Sequence, residues 1–335
     1  MVLVQKLTKG VSFFIHEPVS DWVLDLKGVR KTYRGGVEAL RGVDLQVPKG
    51  TVFGLLGPNG AGKSTLVKIL TTIIRPTACA GSFLGNPVGH KATLKRVGYL
   101  PEHARFPEYL TAREVVHMAA GLCGMDPVVT KARSASLLER VGLGDWQTKK
   151  VGGFSKGMKQ RVGIAQALIN DPEVIFLDEP TDGVDPAGRR DIRLLLEELR
   201  EEGKTVFVNS HLLGELEMVC DRVAILSKGE IKLEGALKEL TGKNVEYRIA
   251  CGKVPPELQE AVTRKDAIWE KGELVVSTSS AEEVMPLLDQ LRDGQVIIEG
   301  LTRKSISLED LFMDTVGTDS PGAAPKSTST PPALK

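Results

Sequence analysis

Gly57-Pro58-Asn59-Gly60-Ala61-Gly62-Lys63-Ser64-Thr65 is the stretch on which the reading of this chain turns. Ahead of it, Val52 to Leu56 is a short apolar run with strand character. Behind it, Ser64 to Ile74 has helical periodicity, with Pro76 as the expected stop. A glycine-rich turn between strand and helix, closing on Gly-Lys-Ser, has the spacing of a phosphate-binding loop. Glycines let the backbone wrap closely round phosphates and aim successive N–H groups inward. The helix that starts near Lys63 adds its positive dipole end. The Lys63 ammonium can reach β- and γ-phosphates, and the Ser64 hydroxyl suits Mg²⁺. A plain glycine-rich turn before a core helix is the alternative, and the full spacing and flanks weigh against it.

Working outward, Val174-Ile175-Phe176-Leu177-Asp178-Glu179 is an apolar run of a strand buried on both faces, ending in two acids. The last side chains of such a strand stand at the carboxyl edge of the sheet, where α/β proteins bind ligands. Neighbours on a strand point to opposite sides, so the two carboxylates can take separate tasks. Asp178 is the candidate to hold Mg²⁺, and Glu179 the candidate general base for an attacking water. Lys63 and Asp178 lie 115 residues apart. The interval carries helical periodicity at Arg113–Leu122 and Lys131–Val141, which predicts an inserted helical subdomain.

Just before the acidic strand stands Phe154-Ser155-Lys156-Gly157-Met158-Lys159-Gln160-Arg161. It resembles the signature motif of ATP-binding cassette (ABC) ATPases, and the resemblance extends over most of residues 22–235. Tyr33 matches the aromatic position that stacks on adenine, and Tyr99-Leu100-Pro101-Glu102 matches the Q-loop region. Asp182-Gly183-Val184-Asp185 matches the D-loop, and His211, in Asn209-Ser210-His211, matches the switch histidine. The resemblance implies two cassettes closing head-to-tail round two ATP molecules. Ser155 and the backbone near Gly157 would then meet the γ-phosphate held by the opposite subunit. His211 would bond the γ-phosphate, and Asp185 would couple the two sites. Two positions depart from the usual pattern: Lys156 replaces the second signature glycine, and Glu102 replaces the Q-loop glutamine. Both variants resemble those of ATPase subunits of ABC-2-type exporters. Glu102 would place a negative charge near Mg²⁺, and Lys156 a positive charge near the partner's nucleotide.

The rest of the chain fits this frame. Its 335 residues are enough for roughly two domains at about 150 residues each. A hydrophobic fraction of 41% with 26% charged residues excludes collagen-like, wholly disordered and polytopic membrane classes. No apolar run approaches the ~20 residues that span a bilayer. No signal peptide is legible at the start, so the expected location is cytoplasmic, and the resemblance implies the inner face of the cell membrane. Forty-four basic against 43 acidic residues leave a net charge of +1, which favours no nucleic-acid partner. The four cysteines and five histidines have neither CxxC nor HExxH spacing.

The expected fold is α/β: a P-loop NTPase of ABC type with an inserted helical subdomain, followed by a small α+β domain. The expected boundaries are an arm at 1–20, the ATP-binding domain at 21–240 with its helical subdomain at about 102–170, an accessory domain at 244–316, and a disordered tail at 317–335. In the accessory domain, strands are expected at 245–249, 274–277 and 296–299, and helices at 257–262, 281–291 and 308–313, compatible with a ferredoxin-like order. Leu308-Glu309-Asp310-Leu311-Phe312 resembles an element common near the ends of ABC-2-type exporter ATPases.

The resemblance implies an ATPase subunit that uses ATP and Mg²⁺ to power an ABC-2-type membrane exporter through a separate membrane permease, working as a homodimer or with a paralogous ATPase. The alternatives are a soluble ABC ATPase that remodels ribosomes or DNA, and a nucleotide switch without turnover. A single phosphate loop without a long heptad tract speaks against the first, and Glu179 with His211 against the second.

Overall fold

The computed structural model describes residues 22–317, apart from positions 243, 244, 264–266, 271, 279 and 306. The expected arm at 1–20 and nearly all of the expected tail lie outside the described residues.

The chain opens with two long strands, β1 (Trp22–Thr32) and β2 (Glu38–Pro48), and then β3 (Val52–Leu56) runs into the phosphate loop and α1 (Lys63–Leu70). Strands β4 (Ala78–Phe83), β5 (Asn86–Pro87) and β6 (Val97–Leu100) follow. Three helices come next: α2 (Ala112–Leu122), α3 (Pro127–Arg140) and α4 (Lys156–Leu168). The α/β alternation resumes with β7 (Val174–Asp178), α5 (Pro186–Glu201), β8 (Thr205–Asn209), α6 (Leu213–Val219), β9 (Arg222–Ser227), β10 (Glu230–Ala236) and α7 (Leu237–Gly242).

A six-stranded sheet in the order β10-β9-β3-β8-β7-β6 carries the site. Strands β6, β7, β8, β3 and β9 are parallel, and β10 closes the edge antiparallel to β9. The parallel strands alternate between two cores. Val174 and Phe176 of β7, with Phe53 and Phe207, join the cluster beneath α1 and the antiparallel sheet β2-β1-β4-β5. Ile175 and Leu177, with Val206 and Val208, join the cluster beneath α2 to α5. Apolar side chains on both faces explain why β7 and β8 read as continuous apolar runs.

A second unit holds β11 (Val245–Cys251), α8 (Pro256–Val262), β12 (Ala267–Glu270), β13 (Glu273–Thr278), α9 (Met285–Asp293) and β14 (Ile298–Ser305). Its sheet runs β12-β13-β11-β14 with every pair antiparallel, the ferredoxin-like βαββαβ arrangement. Ile249, Leu274, Val276, Leu287 and Leu291 form its separate core.

Several expectations are corrected. Helix α1 ends at Leu70, short of Ile74, because Thr72 turns into the left-handed region (φ 58°) before Pro76 can act. The expected strand at 296–299 begins only at Ile298 and runs to Ser305. The helix expected from 281 begins as one 3₁₀ turn and becomes α-helical at Met285, where Pro286 fits the first turn. The last helix, α10 (Leu308–Gly317), leaves the second unit's core. Leu308 is fully buried in the core beneath α2 to α5, with Phe312 and Val316 packed against that core.

Candidate nucleotide-binding site

The phosphate loop is built by close approach. Gly57 (φ 153°) passes so near β9 that a Cβ there would lie 2.2 Å from the Leu226 carbonyl oxygen. Gly62 (φ 113°) sits at the helix N-cap, where a Cβ would meet the Ala39 carbonyl at 2.6 Å. A glycine cap brings no side-chain acceptor, so the first amides of α1 keep their hydrogens for another partner. The Lys63 ammonium donates to the carbonyls of Gly57 (2.5 Å) and Pro58 (3.2 Å), folding back over the loop.

Together with Ala39, Asn59 to Thr65 line one wall of an open cleft of about 180 Å³. Glu102, Asp178, Glu179 and Asn209 line the other. Parallel pairing explains the second wall: β7 and β8 run side by side with Asp178 opposite Asn209. Period-two alternation puts Asp178 on the α1 face, with Phe176, and Asn209 beside it, with Phe207. Asp178 is buried, and the Asn209 amide donates to its carboxylate at 2.5 Å. Burial pushes the Asp178 carboxyl up, the Asn209 hydrogen bond pulls it down, and the charges of Glu102 and Glu179 add to the rise. Burial lowers the Lys63 ammonium, against the pull of Asp178, Glu179 and Glu102. Three carboxylates thus face one lysine, an excess of negative charge. A hydroxyl (Ser64) and a carboxylate (Asp178) on one cleft are hard oxygen donors that fit Mg²⁺, and the glycine-capped amides fit phosphate.

Glu179 leaves the strand in the left-handed region (φ 53°), a costly conformation for a non-glycine residue that its surroundings enforce. Its N–H donates to the Asn209 carbonyl (2.7 Å), and its carbonyl accepts from the Gln160 amide (2.9 Å). Its carboxylate accepts from the Ser210 hydroxyl (3.1 Å) and the His211 N–H (2.9 Å), with His211 Nδ1 at 2.8 Å. The Glu179 side chain is only 12% exposed, whereas that of His211 is 65% exposed.

Other candidates lie off the cleft. Tyr33 is exposed, its hydroxyl 3.3 Å from that of Thr65 and the Lys31 ammonium 5.0 Å from its ring centroid. Ser155 caps α4 by accepting from the Met158 N–H. Gly157 packs next to Gly183 and Val184, and exposed Asp185 takes the N-cap position of α5 without a side-chain cap bond. Lys156 is exposed and pairs with Asp182 of its own chain at 2.5 Å, its stem laid over Gly183. Sequence reasoning missed Asn209, Ser210 and Gln160 as parts of the site. All three stand inside the quoted motif stretches, but nothing in those stretches assigned them roles of their own.

Comparison with known proteins gives the family. The family model "ABC transporter" matches residues 40–182. An uncharacterized ABC transporter ATP-binding protein of a Nostoc strain is 42% identical over 93% of this chain and 95% of its own length. The daunorubicin resistance ATP-binding protein DrrA3 of Streptomyces coeruleorubidus is 34% identical over 88% of this chain and 93% of its own. Among solved structures, a dimeric post-hydrolysis ATP-binding cassette bound to ADP and Pi matches with TM-score 0.59 and 29% identity, covering 64% of this chain and 98% of that one. The fold is that of a P-loop ATPase. The chain belongs to the ABC transporter family, as an ATP-binding subunit that hydrolyses ATP.

Proposed function

We propose that this subunit powers an ABC-2-type exporter by hydrolysing Mg·ATP in the cleft between the phosphate loop and the ends of β7 and β8. The observation that carries the reading is the convergence of Lys63, Asp178 and the His211-bound Glu179 on that cleft. In this reading Gly57 to Thr65 cradle the phosphates, with Lys63 released from its carbonyls to the β/γ-phosphates. Tyr33, near Thr65, stacks on adenine. Ser64 and Asp178 hold the cation, with Glu102 close by. Mg²⁺, when bound, neutralises charge on the β- and γ-phosphates. Glu179 takes the proton of the attacking water, and His211 holds that carboxylate and meets the γ-phosphate. Ser155, Gly157 and Asp185 serve the site of an opposing ATPase subunit, either a second copy or a paralogue.

A transport role is supported by relatives: the drug-resistance protein DrrA3 matches 88% of this chain, well beyond the cassette alone, and the lantibiotic transport ATP-binding protein SrtF of Streptococcus pyogenes is 37% identical over 63% of this chain and 90% of its own. In this reading a separate permease supplies the passage and this subunit works on its cytoplasmic face; among the described residues no helix is long and apolar enough to cross a membrane. Affinity purification from detergent-solubilised membranes tests this. Recovery of one integral protein with several hydrophobic spans is the expected result. Recovery of ribosomal or DNA-bound assemblies without a membrane partner contradicts it.

A further inference from the structure

Asn209 is a polar residue where packing alone calls for an apolar one. Strand β8 runs Thr205-Val206-Phe207-Val208-Asn209, buried throughout, and Asn209 is only 7% exposed. Its two ends have different fates. The amide nitrogen donates to Asp178 Oδ1 at 2.5 Å, whereas its own Oδ1 is buried without a hydrogen-bond partner. The orientation of the amide follows from the chemistry, because the opposite flip would set its carbonyl oxygen against the Asp178 carboxylate. Meanwhile the Asn209 backbone carbonyl accepts the Glu179 N–H at 2.7 Å. One residue thus holds both acids of the pair, the first through its side chain and the second through its backbone. The unmet carbonyl calls for a hydrogen donor that the chain does not supply, such as an ordered water.

We propose that Asn209 is a positioning residue for the cation: it fixes one oxygen of Asp178 so that the other is presented to Mg²⁺. The proposal rests on the reading that the cleft takes Mg·ATP. An outer hydrogen bond of this kind orients a ligating group and typically governs metal affinity by about ten- to a hundred-fold. It predicts a defect confined to metal, because Asn209 touches no part of the phosphate loop among its hydrogen bonds.

The test uses the full chain with Asn209→Leu, which keeps bulk and removes the donor, and Asn209→Thr, which keeps a donor on a shorter side chain. Mn²⁺ binding is followed by electron paramagnetic resonance with a non-hydrolysable ATP analogue present, and affinity for a fluorescent ATP analogue is measured in EDTA. Asn209→Leu is expected to weaken Mn²⁺ binding by about ten-fold or more, and to weaken metal-free nucleotide binding by clearly less than that, because Asn209 makes no hydrogen bond to the phosphate loop. Asn209→Thr should fall between the two, and it carries the test if the leucine variant does not fold. Unchanged Mn²⁺ affinity in the variants, or equal losses with and without metal, overturns the proposal. Absence of Mn²⁺ binding by the wild-type complex overturns the metal reading of the cleft as well, so the two failures are distinguishable.

Discussion

Gly57 and Gly60 look alike in the sequence and carry different constraints. At Gly57 an added Cβ collides with the backbone of β9 at 2.2 Å, whereas at Gly60 (φ 79°) it meets nothing within 4 Å. Gly57→Ala should therefore lower stability by about 3 kcal/mol or more and abolish ATP binding, since the loop must move off the sheet. Gly60→Ala should cost only about 1 kcal/mol, the price of a left-handed alanine. Chemical denaturation of both variants checks this, and equal losses would contradict it. At this scale the motif residues were legible because chemistry demands them at fixed spacing. The left-handed bend of Glu179 and the roles of Asn209 and Gln160 were not. Each depends on which strand or helix lies alongside, and that is set by register rather than by local sequence.

Among the elements, β3 and β7 were legible from unbroken apolar runs, and α2 and α3 from their periodicity. The antiparallel strands β1 and β2 were harder to place, because register shifts interrupt the period-two pattern at several points along their pairing. The junction between α4 and β7 offers a test of electrostatics at the same scale. Asp171, left-handed at φ 52°, accepts from Lys204 (2.7 Å) and Arg133 (3.0 Å), which tie it to β8 and α3. The Lys204 hydrogen bond, with help from Arg133, holds its carboxyl below the ordinary carboxylate range. The folded state thus binds fewer protons there than the unfolded chain. The stabilisation is present above the unfolded value of about 3.9 and is lost as pH falls through the lower folded value. Asn also tolerates the left-handed region, so Asp171→Asn removes the charge alone. Its melting temperature should lie below wild type at pH 7, with the gap closing below about pH 4. A gap independent of pH would contradict the assignment.

For the molecule as a whole, the lesson concerns α10. Its apolar residues at 308, 312 and 316 have helical spacing, so the element itself was legible. Its destination was not, because periodicity names the buried stripe and not the surface that receives it. The helix packs on α6, α7 and β9, so the chain returns to the cassette after completing the second sheet. Leu308→Ala should destabilise the cassette by about 2–5 kcal/mol. Hydrogen exchange is expected to quicken in α6 and β9 while the β11–β14 sheet keeps its protection. Exchange that quickens only in that sheet would show that Leu308 belongs to the second core. Helix α6 begins two residues after His211, so the same contact braces the segment that carries the Glu179 partner.

The measurement closest to the central claim is single-turnover hydrolysis of radiolabelled ATP by Glu179→Gln, alongside equilibrium binding of ATP to the same variant. Glutamine keeps the size of the side chain and loses the base, so a rate lower by about a hundred-fold or more is expected with ATP affinity near wild type. Turnover at the wild-type rate with intact binding would show that Glu179 is not the base.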